Sequence, residues 1–73
     1  MKTKLQLECE LLMVDHDIKH NRGNMSAFNL RANMATDPKQ KADNITSAAF
    51  YQNRKLEAES KAEHLRTLIE QLG

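Results

Sequence analysis

The chain has 73 residues, a single cysteine, no tryptophan, and eleven basic side chains against ten acidic ones. A protein of this size sits near the limit at which one apolar core suffices, and a lone cysteine excludes an internal disulfide framework and paired-cysteine zinc sites. The charges are interspersed, five basic and four acidic over 1–36 and six of each over 37–73, so no basic arm or acidic tail favours a polyanion or a membrane surface.

The first residues, Met1-Lys2-Thr3-Lys4-Leu5, lack an apolar segment of signal-peptide length, and the longest apolar run, Leu11 to Val14, is too short to span a bilayer. Together with the free thiol of Cys9, this makes a cytoplasmic location the expectation. Thr3-Lys4-Leu5-Gln6 carries the capping-box spacing and predicts a helix from about residue 4. Leu7, Leu11, Val14, Ile18, Asn21, Met25, Phe28 and Ala32 follow at alternating steps of four and three, a heptad seam interrupted by one amide. Two features oppose a continuous first helix over 4–34. Leu5, Leu7, Cys9 and Leu11 alternate with polar residues as in a strand over 3–14, and His20-Asn21-Arg22-Gly23-Asn24 resembles a helix end capped by glycine. The helix formers in 3–14 favour helix there; continuity through Gly23 stays open.

Pro38 divides the chain. Asp37 is placed as N-cap, Pro38 at the first helical position and Gln40 in a second capping box. No proline or glycine then intervenes before Leu72, which predicts a second helix over 38–72 after a loop at 35–37. Glu57–Lys61 and Arg66–Glu70 are four apart and suit helix-surface ion pairs. Two long helices joined by a short loop must pack antiparallel, so the expected fold is an all-α helical hairpin. Folding about 36–37 sets Phe28 opposite Ile45, Met25 opposite Ala48 and Ala49, Asn21 opposite Gln52, Leu11 opposite Ala62 and Leu7 opposite Leu65.

The second helix carries two apolar stripes, Ala42, Ile45, Ala49 and Leu56, and Tyr51, Ala58, Ala62, Leu65, Ile69 and Leu72. The first helix carries an extra stripe in Leu5, Cys9, Leu12, Ala27, Leu30 and Met34. One hairpin contact covers one face per helix, so the surplus predicts a further protein contact, with a second copy in a dimeric bundle or with another protein. Leu5, Leu12, Leu30, Met34, Phe50, Arg54 and Leu68 are the candidate partner-binding residues.

No chemistry-bearing motif emerges. His16 and His20 stand one helical turn apart beside Asp15 and Asp17, but no third ligand is placed with them, and a solvated polar face accounts for the cluster. Cys9 lies between Glu8 and Glu10, and there is no serine–histidine–acid set and no glycine-rich loop. The expectation is a non-enzymatic chain with neither metal nor cofactor. Gly23-Asn24-Met25-Ser26 resembles the turn of the helix-turn-helix family, yet Lys19 and Asn29 fall where that motif needs small and apolar residues. A nucleic-acid-binding regulator remains the alternative function, using Lys19, Arg22, Arg31, Lys39 and Lys41 toward the loop half of a helical dimer.

Overall fold

The computed structural model describes residues 2–73. Two helices account for almost all of them: α1 spans Lys4–Met34 and α2 spans Pro38–Leu72. They form an antiparallel hairpin measuring 53 × 14 × 13 Å. The all-α hairpin expected from the sequence is therefore the fold, and the segment 3–14 is helical, with no strand among the described residues.

The ends of the helices follow from local chemistry. The Thr3 hydroxyl accepts the Gln6 N–H at 3.2 Å, and the Gln6 side chain accepts the Thr3 N–H at 2.8 Å, completing the capping box. At the second start, Pro38 occupies the first turn and the Asp37 carboxylate accepts the Lys39 N–H at 3.1 Å. Asp37 thus caps the helix through Lys39, and Gln40 forms no box. Ala35 and Asp37 have extended backbones, which lets residues 35–37 reverse the chain without any positive φ.

Helix α1 runs straight through Gly23, which has an ordinary helical φ and open space where a Cβ would stand. Glycine lowers helix propensity by about 1 kcal/mol but does not end a helix whose flanking seam is packed. The turn that a helix-turn-helix would need at Gly23 is absent. Every member of the α1 seam from Leu7 to Ala32 is buried or half-buried.

On α2 the seam is Asn44, Ala48, Tyr51, Lys55, Ala58, Ala62, Leu65 and Ile69, again at alternating steps of four and three. The stripe Ala42, Ile45, Ala49 and Leu56 is exposed. This corrects the pairing drawn from the sequence. Phe28 stacks on Tyr51 while Ile45 is 52% exposed, and Gln52 is exposed rather than facing Asn21. Asn21 is buried, and its amide donates to the Asp17 carbonyl one turn back at 2.8 Å. A side chain that satisfies itself on its own helix needs no amide opposite.

The core is small and uneven. Leu7, Val14, Ile18, Ala62 and Leu65 form its buried cluster, with Leu11, Ala58, Leu68 and Ile69 packed against it. All of these lie toward the chain termini. Beyond Asn21, the loop half buries only Ala32 and Ala48, and it also carries the half-exposed aromatic stack. Full burial of a Leu, Val or Ile contributes about 1.5–3 kcal/mol, whereas alanine offers far less apolar area.

Candidate interaction surfaces

The two helices of a hairpin meet along one seam and leave two flanks and two backs. On the first flank, Arg66 reaches across to the Asp15 carboxylate at 3.3 Å. Arg66 is thus partnered across the hairpin, not with Glu70. The ion pair spaced by one turn that forms on α2 is Lys55–Glu59, at 3.8 Å. Lys55 occupies a seam position by laying its aliphatic stem along the contact while the ammonium reaches Glu59, as long cationic side chains commonly do.

The second flank carries the aromatic residues. Phe28 and Tyr51 stack with centroids 5.6 Å apart, and Phe50 meets Tyr51 edge-on at 5.2 Å. The guanidinium of Arg31 lies 4.9 Å from the Phe28 centroid, and that of Arg54 lies 5.4 Å from the Phe50 centroid. The result is a five-residue row with a cation at each end, an arrangement favoured by the negative faces of the rings. Beside it an open groove of about 770 Å³ runs along Val14, Asn21, Ala58, Asp17, His20, Glu57 and Lys61. The groove exists because Asn21 and Ala58 are short residues on facing seams. Its charges are mixed, with Asp17 and Glu57 against Arg54 and Lys61.

The candidate partner-binding residues do not form one patch. Phe50 and Arg54 belong to the aromatic row. Leu5 and Leu12, 70% and 71% exposed, lie on the first flank of α1 near the termini, and Leu30 and Met34 lie on its back near the loop. Leu68 is half-buried against the core and is largely used by the hairpin itself. Met13 is also 70% exposed, on the side of α1 that carries His20 and Met34 rather than with Leu5 and Leu12.

The basic residues of the nucleic-acid alternative are also divided. Lys19 and Arg22 line the first flank beside the carboxylates of Asp15 and Glu59, whereas Arg31 covers Phe28 on the second flank. Lys39 and Lys41 stand in the first turn of α2. His16 and His20 gather no further ligand: among the described residues no group of three His, Cys, Asp or Glu side chains could hold a metal ion. His20 Nε2 instead accepts from the Asn24 amide at 3.1 Å. Cys9 is free and exposed.

Among the described residues, no helix is long and apolar enough to cross a membrane. Comparison of the chain with protein families, with curated proteins and with solved structures finds no match.

Proposed function

We propose that this chain is a small, non-enzymatic interaction module that presents helix faces to a protein partner, either itself or another protein. The observation that supports this reading is the balance of apolar surface. Among the described residues, nine large apolar side chains, from Leu5 to Leu72, are 47–73% exposed, while no large side chain is fully buried. Scattered exposed apolar residues are ordinary, but these outnumber the large residues in the core. The free, exposed thiol of Cys9 suits a reducing compartment and hence the cytoplasm.

Affinity capture from the native host tests the reading. The wild-type chain should retain a defined protein that is lost with Leu30→Ser/Met34→Ser or with Phe50→Ala, while helical circular dichroism stays unchanged. Retention of no protein beyond the chain itself, with no self-association, would refute it.

A further inference from the structure

We infer that the first flank, the one bridged by Asp15 and Arg66, is the contact surface for a second copy of this chain, related by a two-fold axis and lying antiparallel to the first. This rests on the interaction reading above and names the partner.

Charge is the first support. On the terminal half of this flank the exposed or half-exposed positions include Glu8, Asp15, Glu59, Glu63 and Glu70 against Arg66 and the Lys55 ammonium that reaches Glu59. On the middle and loop half the corresponding positions carry Lys19 and Arg22 and no carboxylate. A parallel arrangement would set acid against acid. An antiparallel one about an axis near Lys19 brings Arg22 of each copy, three residues to the loop side, to the level of Asp15 and Glu59 of the other, each four residues to the terminal side of its helix midpoint, and complementary potentials select orientation in this way.

The apolar residues obey the same symmetry. Lys19 is the midpoint of α1, and Leu56 is one residue from the midpoint of α2. Leu5 and Leu12 lie fourteen and seven residues from Lys19 on the terminal side, while Ala42 and Ala49 lie fourteen and seven from Leu56 on the loop side. A two-fold axis through the middle and across the hairpin brings each apolar pair to the level of the other in the partner, with Leu56 near the axis. In such an isologous contact the same patch serves both sides.

Size agrees as well. The hairpin is 53 Å long and 13–14 Å across, so one whole flank approaches the roughly 800 Å² that each partner buries in a standard interface. A contact covering both apolar ends must be as long as the hairpin, and a second copy is.

Charge reversal with rescue, read by sedimentation and helical circular dichroism, tests the inference. Wild type should be a dimer at low micromolar concentration. Lys19→Glu/Arg22→Glu and Glu59→Lys/Glu63→Lys should each self-associate at least about tenfold more weakly. Mixed together, they should form a heterodimer. Leu12→Gln with Ala49→Gln, both off the hairpin seam, should weaken association while leaving helicity intact, and this keeps the test decisive if a charge variant misfolds. A wild-type monomer at about 100 μM, a concentration above the Kd of any stable dimer, would overturn the inference. So would dimers indifferent to the reversals, or reversed variants that fail to pair with each other. Sedimentation decides the second copy and capture decides a foreign partner, so either reading can fail without the other.

Discussion

Phe28 and Tyr51 stack across the hairpin with ring planes 10° from parallel, and this contact helps to hold the loop half of the two helices together. Offset stacking adds about 0.5–1.5 kcal/mol beyond the area that the rings bury. Phe28→Leu and Tyr51→Leu should each lower the Tm, and their double-mutant cycle should show coupling in that range. A cycle with additive losses would mean that the rings stabilise the hairpin independently.

Asn21 makes the opposite claim. Its amide is satisfied by the Asp17 carbonyl on its own helix, and Gln52 is exposed. Asn21→Leu should therefore raise stability by about 1 kcal/mol, since apolar area replaces a buried amide and no partner is stranded. Combined with Gln52→Leu, the effects should add within about 0.5 kcal/mol. Strong coupling in urea denaturation would restore a direct pairing of the two amides.

Gly23 offers a simple gain. Nothing lies within 4 Å of the position a Cβ would take, and the backbone is already helical. Gly23→Ala should stabilise by roughly 0.5–1 kcal/mol, mostly by restricting the unfolded chain. A loss of stability would show that α1 bends at this point in solution.

Ala62 is the tightest point in the core, with 0% exposure. Ala62→Leu should cost about 1–3 kcal/mol by forcing the helices apart, and Leu65→Ala about 2–5 kcal/mol by leaving a cavity. In so small a domain, either change should remove much of the thermal transition.

The fold was legible in the sequence because capping chemistry and unbroken helix propensity act locally. Thr3 with Gln6, and Asp37 with Pro38, place both helix starts without reference to anything distant. The α1 seam was equally plain, since seven of its eight members are apolar. The α2 seam was only partly so: Tyr51, Ala58, Ala62, Leu65 and Ile69 read as one stripe, but Asn44 and Lys55 hide the full period and Ala42, Ile45, Ala49 and Leu56 display a competing apolar one outside it. That is why Phe28 was set opposite Ile45: hydrophobicity marks faces, but Lys55 packs by its stem and Ile45 is left out. The exposed apolar residues were partly visible. Leu5, Leu12, Leu30, Met34 and Phe50 are exposed as expected, whereas Leu68 serves the core. The aromatic row was not foreseen, because Phe28 was set opposite Ile45 rather than Tyr51.

The uneven core has a kinetic corollary. Near the turn at 35–37 the helices meet after closing only a short loop, but Ala32 and Ala48 give little in return. At the far end Leu7 and Leu65 reward contact well, yet joining them closes a loop of nearly sixty residues. Closure entropy grows with loop length, so the strongest contacts are also the ones hardest to reach first. Zipping from the turn is thus an uphill climb, eased by the Phe28–Tyr51 stack but repaid mainly by the terminal core. Folding should be all-or-none, with a single exponential phase despite the elongated shape.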